Sequence, residues 1–452
     1  MAFNVGKGCG RVRVRRLSRR SIKGDGPRET KEAPADDHVV SVSLSSDLIP
    51  IPGTREWSEL PIDVWRLIAE GITFPHLHKF ALGCKMWCTV SKEILDKNSN
   101  SYLPPLLFLP YNEKTKTCRF VTPESECHSN SNSKSYDLKV PELNGQWICG
   151  STKGWLAIMD DKNFDLALFN PLTRRKVSLP RFDPEIIKAH LRIYPKDDCP
   201  SRRHPTTWPR FAMKIVTSDN LDSSRSRNNC LVGVIFGHDH RLAISRLGDD
   251  SWSTVIAEGR PMRCFSDLMF YEGKLYAVGP DHVLLLDYNG PNNLSIKRII
   301  TPWNRDPEAV LGTYIVMSSG NLLVVDRYWS YEFGTRPKHE PTMTDDFIVY
   351  KMDQETETWC EIEHLQGQSL FLGLNSSMSV SALDKGFSPW CRNNCIYFLD
   401  DSELRYRLQY RGYQWDNGIF SMDEGCVVHL FPTKQYSISF WHTSPLWFFQ
   451  NV

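Results

Sequence analysis

Several groups of residues in this chain have types and spacings that can support chemistry. His238-Asp239-His240 sets two imidazoles beside a carboxylate, the raw material of a metal site or an acid–base pair. Cys391 and Cys395 stand at C-x3-C spacing, and Cys84 and Cys88 lie one helical turn apart. Asp160/Asp161, Asp249/Asp250 and Asp345/Asp346 are carboxylate pairs, and a glycoside hydrolase works with two carboxyls across a pocket. Gly6-Lys7-Gly8-Cys9-Gly10 has the glycines of a phosphate loop. The context of each argues for a plainer role. No strand precedes the glycines and no Gly-Lys-Ser/Thr follows them. Structural zinc takes four ligands, and neither cysteine pair has a second Cys/His pair at the right distance. The His-Asp-His group and all three carboxylate pairs fall in expected turns, where polar residues serve the backbone. The chain is therefore expected to be non-catalytic, with no metal and no cofactor.

The elements around these groups change period along the chain. Residues 1–55 are polar, Arg-rich and then rich in Pro, Asp and Glu. Without apolar periodicity such a stretch cannot offset its ordering entropy, and a disordered basic tail is expected. The Arg11–Arg20 run admits a nuclear address, an organellar presequence or a plain solvated tail. Residues 56–97 turn helical. Pro61 suits a first helical turn, Asp63 complements its positive end, and Val64, Leu67 and Ile68 recur at helical spacing. Leu77, Phe80 and Cys84 suit a second short helix, and Trp87 and Val90 a third. From 102 to 450 the period becomes that of short strands separated by turns. Hairpins are expected at 231–236 with 242–246, at 268–271 with 274–278, and at 314–317 with 322–326. Ile244–Trp252 resembles Val349–Trp359: strand, acidic turn, then a Trp opening the next strand. The two tryptophans are 107 residues apart, two repeats of about 50. About 350 residues of such hairpins suit a β-propeller of about six blades, which closes radially and protects its edges. A pair of β-sandwiches is the rival. The fold class is thus mainly β with a small α-helical N-terminal domain. Tryptophans such as Trp155, Trp252 and Trp359 are expected to pack blades more than to line a binding face.

The overall composition limits partners. The 452 residues are too many for one compact core. The longest apolar stretch, Leu103–Pro110, is broken by Pro104 and Pro105, far short of the roughly 18–20 residues of a membrane span. Residues 1–24 hold eight Lys or Arg and no acid, which leaves 46 basic against 53 acidic residues in the remainder. Neither a membrane nor a nucleic acid is an expected partner of that mildly acidic body. Thirteen irregularly spaced cysteines, with no apolar leader after Met1, suit free thiols in a reducing compartment, nucleus or cytoplasm.

The segment Trp57–Glu93 resembles an F-box: Leu60-Pro61, the acid Asp63, Ile68, Leu77 and Phe80, then Cys84-Lys85-x-Trp87. The rest resembles the kelch-like F-box-associated propeller of the plant KIB type. Gly154-Trp155-Leu156, Leu168-Phe169-Asn170-Pro171-Leu172-Thr173, Val177-x-Leu179-Pro180 and Leu275-Tyr276-Ala277-Val278 carry that resemblance. It implies a Skp-type adaptor and a cullin-RING ubiquitin ligase as partners, with the propeller holding a protein substrate. Leu60, Pro61, Ile68 and Leu77 would meet the adaptor; Val64, Phe80, Cys84 and Trp87 would form the core of the helical trio. The substrate and its binding residues are not specified by the sequence. Two other readings stand beside this one: a scaffold whose F-box no longer joins a ligase, and a carbohydrate-active propeller enzyme.

Overall fold

The computed structural model describes residues 60–70, 80, 86–87, 89–91 and 93, then 105–449 except 123–134, 161, 194–210, 222–228, 258–259, 291–293, 301–308, 330–343, 354, 384–390, 402–415 and 431–444. The N-terminal tail, Leu77, Cys84, Cys88 and Asp161 lie outside the described residues. A small α-helical region leads into a six-bladed β-propeller. Helix α1 spans Ile62–Glu70, and helix is also found at Phe80 and among residues 86–93. The carbonyl of Pro61 accepts its first bonds, from the amides of Val64 and Trp65 at 3.0 and 3.3 Å.

Six sheets make the blades. The first holds Leu106–Asn112, Thr117–Val121 and Ser135–Lys139, and Leu446–Phe448 from the far end of the chain completes it. The second holds Gln146–Thr152, Trp155–Asp160, Leu166–Phe169 and Lys176–Ser178. Ala212–Thr217, Leu231–Phe236, Arg241–Arg246 and Ser253–Thr254 form the third. The fourth comprises Asp267–Tyr271, Lys274–Val278, His282–Tyr288 and Leu294–Ile300. Val310–Ser318, Asn321–Trp329, Thr344–Asp353 and Thr358–Ile362 make the fifth.

The sixth departs from a simple meander. Gln368–Leu372 lies between Met378–Ser381, its antiparallel neighbour, and Cys395–Phe398, which runs parallel to it. Gly418–Ser421 and Cys426–Leu430 follow outward.

Closure is visible in the core. Six apolar clusters each join two neighbouring blades, so the packing runs around a ring. Phe108, Phe120 and Phe448 meet Phe169 between blades one and two; Phe371, Tyr397 and Trp447 lie between six and one. Rings of this size bring most of the buried area, and their edge-to-face arrangement adds to it: Phe108 and Phe120 lie 5.3 Å apart at 74°.

Turn chemistry sets the strand register. Lys153-Gly154, Glu272-Gly273 and Ser319-Gly320 join the innermost strand to the next in blades two, four and five. Both residues of each pair have φ between 43° and 80°. Two positive φ angles in a two-residue loop match the right-handed twist of the strands it joins. The Asn-Pro-Leu-Thr element is a side-chain-capped turn: Asn170 Oδ1 accepts from the amides of Leu172 and Thr173, both at 3.0 Å. The 107-residue tryptophan repeat has a structural origin. Trp252 and Trp359 both lie where the third strand of a blade passes to its fourth, in blades three and five.

Candidate functional site

Two regions concentrate groups that can meet another molecule: the face of α1 and the axis of the propeller. On α1, Trp65 is 2% exposed and packs on Trp87 at 4.7 Å and Phe80 at 5.7 Å, while Phe80 and Trp87 stack at 4.7 Å and 4°. Ala69 and Val90 complete this core, with Leu60, Ile62, Ile68 and Met86 partly buried against it. Phe80 and Trp87 thus take the inward places expected of them. Val64 does not: it is 36% exposed, and Leu67 beside it is 71% exposed. The correction follows from helical geometry. Residues 62, 65, 68 and 69 share one face, so 64 and 67 must lie on another. The expected stripe of Val64, Leu67 and Ile68 mixed two faces, and the bulkiest side chain, Trp65, decides which one turns inward.

The outer face therefore carries Pro61, Val64 and Leu67, all exposed. Of the four expected contact residues, Pro61 is exposed, Leu60 and Ile68 are half-buried against the helical core, and Leu77 is outside the described residues. Arg66 ties the region together, pairing with Asp63 within α1 and with Glu93, each at 2.7 Å. Leu67 was legible at sequence level as an apolar residue at helical spacing, though not as a surface one.

At the propeller axis the sequence had singled out none of the residues that matter. Lys214 of blade three and Asp267 of blade four form an ion pair at 2.7 Å, their side chains 5% and 0% exposed. The other partners of this pair span blades. Lys214 Nζ donates to the Gly373 carbonyl at 2.9 Å, while Asp267 Oδ2 accepts from the Ile315 amide at 3.1 Å and Ser377 Oγ at 2.6 Å. Residues 373–377 of blade six reach across to blade two, where the Ser376 amide donates to the Ser151 carbonyl at 2.8 Å.

A second buried centre joins blades five and six. Arg327, its side chain 2% exposed, donates to Thr344 Oγ1 at 2.6 Å, to the Leu399 carbonyl at 2.9 Å and to Asp416 Oδ2 at 2.7 Å. Its guanidinium also lies 4.8 Å from the Phe398 ring centre. Tyr314 Oη donates to Asp401 at 3.0 Å. Burial raises the Asp401 carboxyl above the usual carboxylate range, against the opposing pull of Arg327.

The remaining chemical candidates do structural work. The Asp239 carboxylate takes the Nε–H groups of Arg241 and Arg263 at 2.9 and 3.1 Å. Burial pushes the Cys391 thiol up to about 12 and Cys395 up to about 11, so both stay protonated and unlike metal thiolates at neutral pH. Asp160 caps a turn through the amides of Lys162 and Asn163, and Asp249 accepts from the Arg246 amide and Tyr288 Oη. Asp345 and Asp346 are both exposed and lie within the strand Thr344–Asp353, not in the turn expected of them. Trp155 is fully buried between blades, and Trp252 stacks on Phe182 while its Nε1 donates to the Pro180 carbonyl at 2.8 Å. Among the described residues no three His, Cys, Asp or Glu side chains are grouped to hold a metal ion.

Comparison with known proteins agrees with this architecture. The family model described as the KIB1-4 beta-propeller matches residues 120–427. The F-box/kelch-repeat protein KIB1 of Arabidopsis thaliana is 24% identical over 355 residues, covering 77% of this chain and 78% of that protein. The F-box protein KIB4 of the same plant is 23% identical, covering 77% and 83%. The F-box protein SKIP23 is 25% identical over 422 residues, covering 86% of this chain and 95% of its own length.

Proposed function

This chain belongs to the KIB1-4 β-propeller family, and from that premise we propose that it is the substrate-recognition subunit of an SCF-type cullin-RING ubiquitin ligase. The helical region docks a Skp-type adaptor, and the propeller holds a protein target. The observation that carries the reading is the pairing of an exposed apolar face on α1 with a six-bladed ring in one chain. The F-box names of its relatives KIB1, KIB4 and SKIP23 support the same assignment.

The physics of such a receptor is proximity. Holding the target's lysines near a ubiquitin-charged enzyme replaces a bimolecular encounter with an intramolecular one, and no residue of this chain carries out bond chemistry. On α1, Pro61, Val64 and Leu67 are exposed and can be covered by an adaptor. A few central apolar anchors of this kind supply most of an interface's energy. Leu60 and Ile68 contribute at the margin, since they already lean on the Trp65 core.

The test is co-expression with a Skp-type adaptor and capture through a tag on this protein. The wild type retains the adaptor, and the Val64→Ala/Leu67→Ala double variant, with its fold checked by circular dichroism, loses most of it. A wild type that captures no adaptor would favour the non-ligase scaffold instead.

A further inference from the structure

A cavity of about 160 Å³ lies at one end of the propeller axis, and blades three to six share its wall. Met213 stands at the start of Ala212–Thr217, and Leu311 at the start of Val310–Ser318. Phe265 and Ser266 lead into Asp267–Tyr271. The cavity thus marks the end of the ring where the innermost strands begin. The Glu272-Gly273 and Ser319-Gly320 turns, where those strands finish, mark the other end. Exposed Ser266 sets the mouth of the cavity toward solvent.

The wall combines an apolar sleeve with polar groups that answer one another. Met213, Ile235, Phe265, Leu311 and Leu374 form the sleeve. His240, Ser266 and Thr313 belong to the polar part, and Thr313 Oγ1 donates to Asp326 at 2.6 Å. Lys214 and Asp401 complete it, and each already faces an opposite charge of the fold. Lys214 Nζ lies 2.7 Å from Asp267 and 2.9 Å from the Gly373 carbonyl. Asp401 Oδ1 accepts from Tyr314 Oη at 3.0 Å and lies 3.4 Å from Arg327. A charged guest would shed its hydration here and meet charges that are already engaged, which disfavours it. An uncharged apolar guest gains from the sleeve.

Size narrows the choice. A cavity of about 150 Å³ lined by Leu, Ile and Phe takes up benzene, so this one has room for a single phenyl ring. Phe265 adds a buried ring to the wall, and aromatic pairs gain beyond the area they bury.

We propose that a phenylalanine side chain of the protein target seats in this cavity, which makes this end of the ring the recognition face. The idea rests on the propeller as the target-holding half of the molecule, but its test does not involve the adaptor. Full-length protein is titrated by calorimetry with N-acetyl-phenylalanine methylamide, beside the lysine, glutamate and glycine counterparts. The phenylalanine amide binds saturably and about tenfold or more tighter than each of the other three.

Two variants locate that binding. Ser266→Trp obstructs the mouth, and Lys274→Trp places the same bulk at an exposed site of the opposite end. Ser266→Trp weakens the phenylalanine amide about tenfold or more, while Lys274→Trp leaves its affinity unchanged. Should Ser266→Trp fail to fold, Leu311→Trp, half-buried on the same wall, replaces it. Absence of saturable binding, equal binding of any control amide, or equal affinities in the two variants overturns the proposal. A wild type that captures no adaptor would instead count against the ligase reading and leave these titrations interpretable.

Discussion

Val64 and Trp65 are neighbours in sequence and opposites in role. Trp65 is the centre of an aromatic trio, so Trp65→Ala removes the largest buried side chain of α1 and costs about 3–5 kcal/mol locally. Hydrogen exchange of α1 amides would show that loss as faster exchange confined to the helical region. Leu67→Ala, at a 71% exposed site, changes stability by about 0.5 kcal/mol or less. Arg327 makes the opposite case for charge. Asp416→Asn leaves a buried guanidinium without its closest counter-ion, and the penalty is about 3–5 kcal/mol, read as a lower urea midpoint. Thiol chemistry divides in the same way by burial. Among the described cysteines, Cys264 and Cys360 are exposed and alkylate before Cys391 and Cys395, which are labelled only after unfolding, as mass spectrometry of timed digests would show. Single residues were also where sequence reasoning reached least far. The fully buried Asp267 and the nearly buried Arg327 occupy strands whose pattern gives no hint that a charge lies inside, because their counter-ions come from other blades.

Strands and turns were far more legible. Leu231–Phe236, Lys274–Val278, Thr358–Ile362 and Cys426–Leu430 occupy the residues that β-branched runs bounded by turn signals mark out. Their register is local information, carried by pairs such as Glu272-Gly273 and Ser319-Gly320. Helix α2, Pro184–Ile193, was missed although its signals are present. Asp183 Oδ1 accepts from the Glu185 amide at 2.8 Å, and Pro184 occupies the first helical turn. Its inward face, Ile186, Ile187 and Leu191, packs on the cluster between blades two and three. Leu446–Phe448 was missed for a different reason: three residues carry no period, and only the ring tells where they pair. The sixth blade's inner turn gives the test at this scale. A side chain on Gly150 would run into the Leu374 carbonyl where residues 373–377 cross the axis. Gly150→Ala forces that backbone apart and costs about 1–3 kcal/mol, measured by urea denaturation.

At the scale of the whole molecule, closure and docking are separate properties. Deleting the residues from Leu446 onward leaves Leu106–Asn112 without its inner neighbour and opens the ring between blades six and one. The truncated protein is expected to unfold at a lower urea midpoint than the full-length chain. The resemblance read from Leu60-Pro61 and from Phe169-Asn170-Pro171-Leu172-Thr173 reached the family, since both elements answer to local backbone needs. It did not reach the outward face of α1, because amphipathic spacing alone does not say which of two apolar stripes faces in. Adaptor docking is tested by the dissociation constant of the full-length protein for a purified Skp-type adaptor, wild type beside Leu67→Asp. Tight binding by the wild type and a loss of about a hundredfold or more in the variant are expected, with unchanged urea midpoints. Equal affinities for the two proteins, or no binding by either, would contradict it.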